Sequence, residues 1–165
     1  MFPEIFDKII FAMNEKEHLQ NLLSDNSDIR QTATRALWDL WLCQAGGEAE
    51  SRIRRGTQEM DKAHYEIAQE VFEGLVLDFP DFAEAHNKLA TVLYMQRIYS
   101  QSINECEVTL KLTPTHFGAW NGLGLCHYRL AHYQKAIDCF KMALSIQPFA
   151  EFNKIYIAKC RGQLN

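Results

Sequence analysis

The sequence predicts an all-α protein, a solenoid of about three stacked helix pairs with further helices at both ends. Three observations point to this fold. The chain resembles itself at a constant offset of about 34 residues, apolar side chains recur at helical spacing within each copy, and a proline closes each copy. The composition, 47% hydrophobic and 23% charged over 165 residues, is that of an ordinary soluble globular protein.

Residues 2–23 are predicted to form one or two amphipathic helices. Their apolar stripe consists of Phe2, Ile5, Phe6, Ile9, Ile10 and Met13. The polar face of this stretch is not basic, so it offers no electrostatic attraction to anionic lipid. We therefore expect the stripe to pack on the helical array or on a second copy of the chain.

A second N-terminal helix should follow the polar break at Ser24–Ser27, which supplies N-cap residues. We expect the glycine pair Gly46-Gly47 to stop this helix and the helix itself to cover the first repeat. Its apolar face is formed by Ile29, Ala33, Ala36, Leu37, Leu40 and Trp41.

The repeats occupy residues 48–148, in copies at about 49–82, 83–116 and 117–148. The third copy contains the most specific pattern: Trp120-x2-Leu123-Gly124, then Ala136-x3-Phe140, then Pro148. Small residues at the glycine and alanine positions would let two helices approach closely, and proline ends the second helix. A single helix pair cannot bury its own apolar face, so the copies should stack into a curved array.

This pattern resembles the tetratricopeptide repeat (TPR), a helix-turn-helix unit of about 34 residues. The middle copy substitutes His86 for the tryptophan and Cys106 for the aromatic residue, and the first copy keeps Gly56 and Phe72. Residues 149–165 are expected to form the capping helix that often ends such arrays, with Phe152, Ile155 and Tyr156 as its apolar side.

Three further segments are similar to small stand-alone TPR proteins of bacteria and plastid-bearing organisms. They are Ala36-Leu37-Trp38-x2-Trp41, Asp81-Phe82-Ala83-Glu84-Ala85 and His116-Phe117-Gly118-Ala119. This resemblance implies no enzymatic activity.

The resemblance implies that the first helix of each repeat lines a concave groove for a partner segment. Carried over position by position, the groove consists of Ile53, Thr57, Met60, Asn87, Lys88, Thr91, Tyr94, Met95, Asn121, Leu125, Tyr128 and Arg129. Asn and Tyr recur at equivalent places. Asparagine can donate to and accept from a peptide backbone, and tyrosine offers a large contact area with a polar tip. Repeat duplication alone would also explain the recurrence.

TPR co-chaperones that hold the C-terminal tails of Hsp70 and Hsp90 use a clamp of Lys, Asn, Asn, Lys and Arg. The matching positions here are Ile53, Thr57, Lys88, Gly118 and Gly122. None carries the side chain that the clamp requires, so a terminal carboxylate would lose its charge-assisted hydrogen bonds. This argues against a role in binding those tails.

Catalysis, metal binding and cofactor binding are not expected. His127 and His132 are five residues apart, which does not suit zinc on a helix, and Cys126 is best explained as a buried core thiol. A net charge of −4 argues against nucleic acid as the main partner, and we expect no membrane insertion. Five scattered cysteines without a CxxC pair suggest buried free thiols in a reducing, intracellular compartment, cytoplasmic or, after removal of a transit peptide, plastid.

The predicted function is therefore that of a protein–protein interaction scaffold or adaptor, binding a protein or peptide segment during complex assembly. A client-specific assembly chaperone is the alternative. Self-association through the N-terminal helices is a further possibility that the apolar stripe suggests.

Overall fold

The computed structural model describes the backbone of residues 2–164 and the side chains of residues 9–164. Over residues 2–164 the chain forms nine α-helices and no strand, which confirms the all-α prediction. The helices are α1 Phe2–Asn21, α2 Ser27–Leu42, α3 Gly47–Asp61, α4 Tyr65–Asp78, α5 Ala83–Met95, α6 Tyr99–Leu112, α7 Phe117–Arg129, α8 Tyr133–Ile146 and α9 Glu151–Leu164.

Consecutive helices pack in pairs, α3 with α4, α5 with α6 and α7 with α8, and each pair stacks on the next. We call α3, α5 and α7 the first helices of their pairs. The first copy, at about residues 49–82, therefore forms a complete helix pair. No helix among residues 2–164 is long and apolar enough to cross a bilayer.

The turn inside each pair uses the same backbone device, at the equivalent position of every repeat. Ala63, Arg97 and Ala131 adopt the left-handed conformation, with φ of 61°, 65° and 58°. The next residue donates its N–H to a carbonyl five residues back, for example His132 to His127 at 2.8 Å. This is the Schellman arrangement, which satisfies helix-end carbonyls and redirects the chain sharply.

Glycine sets the spacing between helices in the first and third pairs. A Cβ on Gly56 would lie 2.5 Å from the Phe72 ring, and one on Gly124 would lie 2.7 Å from the Phe140 ring. Both phenylalanines are fully buried. Close approach of this kind needs a residue without a side chain, as the sequence pattern predicts.

The N-terminal helices differ from expectation in three respects. First, α2 ends at Leu42, and Gly46, with φ 86°, is the N-cap of α3 rather than the stop of α2. Second, Ile29 is exposed, although the sequence pattern assigns it to the apolar face. Third, α2 does not pack on the first pair alone: Leu42 at its end joins the core cluster of that pair, but most of its buried face lies elsewhere. Its buried face packs on Phe117 at the start of α7, because its two tryptophans find an aromatic pocket there.

The described part of the predicted stripe on α1 is exposed. Ile9, Ile10 and Met13 are 52%, 41% and 66% exposed, whereas Phe11 and Leu19 pack into the cluster around α2. The side chains of Phe2, Ile5 and Phe6 lie outside the described residues.

The C-terminal helix α9 packs on α8, as expected of a capping helix. Asn153, Ile157 and Cys160 are its buried residues. Of the three apolar side chains predicted on this helix, Tyr156 joins the cluster on α8, and Phe152, 43% exposed, lies edge-on against Phe140 of α8 with ring centroids 6.1 Å apart. Ile155 is 51% exposed.

Candidate peptide-binding groove

The twelve predicted groove residues all lie on the first helices. We call the surface that they form the groove face. Helix α2 lies over one half of this surface, which we call the covered half. The other half, at the C-terminal turns of the first helices, is accessible, and we call it the open half. The α3 residues are Ile53, Thr57 and Met60, the α5 residues are Asn87, Lys88, Thr91, Tyr94 and Met95, and the α7 residues are Asn121, Leu125, Tyr128 and Arg129.

The covered half lies under α2. Trp41 is fully buried and stacks on the His116 ring with centroids 4.2 Å apart, and Trp38 packs edge-on against the same ring at 5.4 Å. The indole of Trp41 donates to Glu15 at 3.0 Å, and the Thr115 hydroxyl donates to the same carboxylate at 3.1 Å. Both helices of the α1–α2 hairpin are thus tied to the array, α2 through its tryptophans and α1 through Glu15.

The ring of Trp38 fills the space beside one of the clamp positions, Gly118. A Cβ on Gly118 would lie 2.5 Å from Cη2 of the Trp38 indole. The glycine that made the clamp unlikely on sequence grounds is therefore the residue that admits this tryptophan. Sequence reasoning missed this contact, although a glycine inside a predicted helix is itself a sign of close approach.

A buried carboxylate lies beside this contact. Glu84 is 2% exposed and accepts hydrogen bonds from His116 Nε2 at 3.0 Å and Asn87 Nδ2 at 3.1 Å, with Lys88 Nζ 3.5 Å away. The Ala119 N–H donates to His116 Nδ1 and so fixes the ring's orientation.

Burial alone would raise the pKa of Glu84. The hydrogen bond from His116, the charge of Lys88 and the hydrogen bond from Asn87 outweigh burial and lower it.

The expectation that Asn87 faces an open groove is wrong. The side chain is 6% exposed and its amide is engaged by Glu84. Asn121, its equivalent on α7, is half-buried and its Oδ1 has no hydrogen-bond partner among the described residues. The two asparagines therefore differ in role although their positions repeat.

A cavity of about 380 Å³ remains between α2 and two of the first helices, α3 and α5. Trp38 and Asp39 of α2 face Thr57 of α3 and Lys88 of α5 across it. The Thr57 hydroxyl is buried and has no partner among the described residues. Ile53, also in this cavity wall, is 2% exposed.

The open half follows the C-terminal turns of the first helices. Met95 is 48% exposed, Arg129 is exposed, and Tyr94 is half-buried. Arg129 Nε donates to the Tyr94 hydroxyl at 3.0 Å, which joins α5 to α7 across this face. Met60, Thr91, Leu125 and Tyr128 are half-buried beside them. These side chains are accessible to a partner without moving α2.

Four residues occupy equivalent positions, 34 residues apart along the chain, and their solvent exposure rises from one end of the array to the other. Ile53 and Asn87 are buried, Asn121 is half-buried, and Ile155, one further repeat length along the chain, is 51% exposed. The capping helix therefore continues the groove face. Sequence reasoning missed this because the repeat comparison stopped at Pro148.

The described residues show how the thiols are placed. Cys126 is buried and donates to the Ser102 hydroxyl at 3.2 Å, in keeping with a core thiol. Burial, followed by the nearby Asp138 carboxylate, raises the pKa of Cys139 to about 12, so this thiol stays protonated at neutral pH. Cys43 is exposed, contrary to the expectation that all five are buried. Among the described residues, no cluster of His, Cys, Asp and Glu is suited to a metal ion.

Two arginines on the surface of α3 are held in ion pairs with nearby acidic residues. Arg54 pairs with Glu50 at 2.7 Å, and Arg52 with Asp78 at 2.6 Å and Glu48 at 3.9 Å. Such exposed pairs contribute little to stability.

Comparison with known families gives two matches, both to tetratricopeptide-repeat models, over residues 53–116 and residues 118–149. Together they span more than half of the chain. The family description fits the three helix pairs seen in the structure.

Two curated relatives also contain this repeat. The chain is 27% identical over 81 residues to the tetratricopeptide repeat-containing protein trd-1 of Caenorhabditis elegans, and 30% identical over 69 residues to a TPR repeat-containing protein of Rhizobium etli. These stretches are 48% and 42% of this chain, but only 10% and 34% of the relatives' own lengths.

Solved TPR domains share the fold at low sequence identity. They include the first TPR domain of Spaghetti (RPAP3) bound to an HSP90 peptide, with a TM-score of 0.68 at 13% identity, covering 69% of this chain and 90% of that chain. The Arabidopsis OM64 TPR domain gives 0.67 at 16% identity, covering 68% and 93%. The TPR2B domain of yeast Sti1 in complex with an Hsp70 peptide gives 0.65 at 14% identity, covering 69% and 96%.

Proposed function

Since the chain belongs to the tetratricopeptide-repeat family of protein-interaction domains, we propose that it is an adaptor that binds a partner segment on the open half of its groove face. The family match supports protein binding in general. The choice of the open half rests on one observation. The covered half is occupied by α2, whereas Tyr94, Met95 and Arg129 remain accessible on neighbouring first helices.

The open half has the chemistry of a protein-binding surface. Tyrosine, methionine and arginine are enriched in protein interfaces, and here they lie on adjacent turns of α5 and α7. Tyrosine rings lose little conformational entropy on binding, since they have few rotatable bonds. A segment lying across the first helices would contact several of these side chains at once.

The proposal excludes the tails of Hsp70 and Hsp90, although related domains in the comparison bind peptides from those proteins. The clamp positions here are a buried Ile53, a Gly118 filled by Trp38, and a Lys88 held by Glu84. A terminal carboxylate in this half would approach the buried Glu84 carboxylate without the cations that the clamp supplies.

The alternative of an assembly chaperone for one client draws on a different surface. Ile9, Ile10 and Met13 of α1 form an exposed apolar patch. Apolar patches of this kind are typical of surfaces that cover another protein or a second copy of the same chain. A chaperone role predicts that the client loses solubility when the protein is absent, which an adaptor role does not require.

The test begins with affinity purification from the native source and identification of the partner by mass spectrometry. Binding of the purified partner is then measured for the wild type, for Met95→Ala and for Met142→Ala. The two methionines are matched, 48% and 45% exposed, but Met142 lies on the second helix α8, off the groove face. We expect Met95→Ala to weaken binding by about tenfold, as loss of an interface anchor does.

Met142→Ala should leave the affinity unchanged, and both variants should melt like the wild type because surface changes rarely shift stability by more than about 0.5 kcal/mol. Equal affinities for all three proteins would mean that the groove face is not the binding site.

A further inference from the structure

The capping helix α9 extends the open half beyond the last repeat. At the repeat offset, Ile155 follows Asn121 and Lys159 follows Leu125. The Tyr156 ring lies 5.3 Å from the Tyr128 ring of α7 in an edge-on arrangement, which places α9 directly beside that helix's groove residues. The groove face therefore spans α9 as well.

Tyrosines and cations alternate on this part of the surface. Arg129 donates to the Tyr94 hydroxyl at 3.0 Å, and its guanidinium carbon lies 5.9 Å from the Tyr94 ring centroid. Lys159 Nζ lies 4.8 Å above the Tyr156 ring. We call this surface the tyrosine–cation face; its members are Tyr94, Tyr128, Arg129, Tyr156 and Lys159.

The two cations of this face lack acidic partners. Among the described side chains, no carboxylate lies within ion-pair distance of Arg129 or Lys159. Lys154, on the same helix as Lys159, is paired with Glu151 at 2.7 Å.

A tyrosine contacts Arg129 instead. The hydrogen bond to the Tyr94 hydroxyl raises the pKa of Arg129, a guanidinium that is charged at any working pH.

We infer that the tyrosine–cation face recognises an acidic segment of the partner, with carboxylates meeting Arg129 and Lys159 and an apolar or aromatic side chain lying against Tyr128 and Tyr156. This inference rests on the proposed function and names the chemistry of the bound segment. Carboxylates supply the missing counter-charge and form charge-assisted hydrogen bonds with guanidinium and ammonium groups. The site differs from the clamp positions, which lie on the covered half.

Single-stranded nucleic acid is the competing ligand, since aromatic rings and cations also bind it. The charge distribution favours the peptide. Nucleic-acid binding needs an extended basic surface, whereas this face contains two cations in a chain of net charge −4. A peptide with a few carboxylates matches that number better than a continuous phosphate backbone.

The test uses a short fluorescein-labelled peptide of Glu, Phe and Ser, and its twin in which Gln replaces each Glu. Fluorescence anisotropy measures both affinities at low and high salt. We expect the acidic peptide to bind about tenfold more tightly than its twin at low salt, and the advantage to shrink at high salt because exposed charges are screened. Arg129→Gln and Lys159→Gln should each weaken the acidic peptide by about threefold to fivefold and leave the twin unaffected.

Lys154→Gln is the matched control, because it removes a charge from the same helix but off this face; it should change neither affinity. The inference is overturned if the twins bind equally, if neither binds, if Lys154→Gln weakens the acidic peptide as much as Lys159→Gln does, or if oligouridylate displaces that peptide at lower concentration than its own unlabelled form. Equal binding of the twins would leave the proposed function standing, since that function fails only if Met95→Ala leaves partner affinity unchanged.

Discussion

The ring of Trp38 lies where a side chain on Gly118 would begin, 2.5 Å from the position of the missing Cβ. The indole cannot easily move aside, because it packs edge-on against Trp41, His116 and Phe117 at ring distances of 5.2 to 5.5 Å. One residue of the array and one residue of the hairpin thus determine together how α2 is seated.

Gly118→Ala should loosen the hairpin from the array. The added methyl group forces Trp38 out of its aromatic pocket, while the helix pairs themselves keep their contacts. We expect faster trypsin cleavage after Arg35, an exposed residue of α2, with little change in helix content by circular dichroism. A Trp38→Leu change added to Gly118→Ala should restore part of the protection, because the two residues are in contact and their effects are coupled. Cleavage at the wild-type rate in the single variant would show that α2 is held elsewhere.

The two repeated asparagines should respond differently to removal. Asn87→Ala deletes a donor to the buried Glu84 carboxylate, so we expect a loss of about 1–3 kcal/mol in the free energy of unfolding. Asn121→Ala deletes a side chain whose Oδ1 has no hydrogen-bond partner among the described residues, so a change within about 0.5 kcal/mol is expected. Urea unfolding of both variants checks this, and equal destabilisation would contradict it.

Acid should lower the stability of the protein, because it protonates the Glu84 carboxylate in the covered half. Its pKa is lowered in the folded protein, so its contribution to stability is complete above the unfolded value of about 4.3 and is lost as the pH falls through the lower folded value. The free energy of unfolding should therefore decline more steeply below about pH 4.3 in the wild type than in Glu84→Gln. The exposed Glu151→Gln serves as control and should follow the wild-type curve. Parallel curves for the wild type and Glu84→Gln would refute the assignment.

Helix spacing in the third pair should depend on Gly124. Gly124→Ala places a methyl group 2.7 Å from Phe140 and should cost about 1–3 kcal/mol of stability. Gly162→Ala meets no atom within 4 Å on α9 and should stabilise by about 0.5–1 kcal/mol, as alanine does in helices. Thermal unfolding of the pair of variants gives opposite shifts if the spacing argument holds. If both variants are destabilised, the cause lies in the helix backbone and not in the spacing between α7 and α8.

The helix pairs could be predicted from the sequence because their signals are local. Gly124, Phe140 and Pro148 recur at the family spacing, and the spacing alone fixes which helices pair and where each ends. The turns were less apparent. Arg97 and the two alanines at equivalent positions take a left-handed conformation that usually calls for glycine, so no residue type marks them.

The position of the α1–α2 hairpin on the array could not be predicted, because it depends on contacts between distant parts of the chain. Nothing in the sequence near Trp41 indicates that His116 lies beneath it. The same limit applies to Asn87, which the repeat pattern assigns to a ligand and which instead serves a buried carboxylate. A repeated residue reveals a shared position in the repeat, while its role depends on what covers that position.

Two hydrogen bonds of the hairpin join parts of the chain that are far apart in sequence, Glu15 with Thr115 and Thr34 with Gln147. Repeat arrays are otherwise held by neighbour-to-neighbour contacts, and such arrays can lose their end units one at a time. Here the hairpin bridges units that are not neighbours, so fraying of the third pair also costs the contacts of the N-terminal helices. The hairpin therefore raises the contact order of the fold, and we expect it to slow folding relative to a simple linear stack of the same repeats.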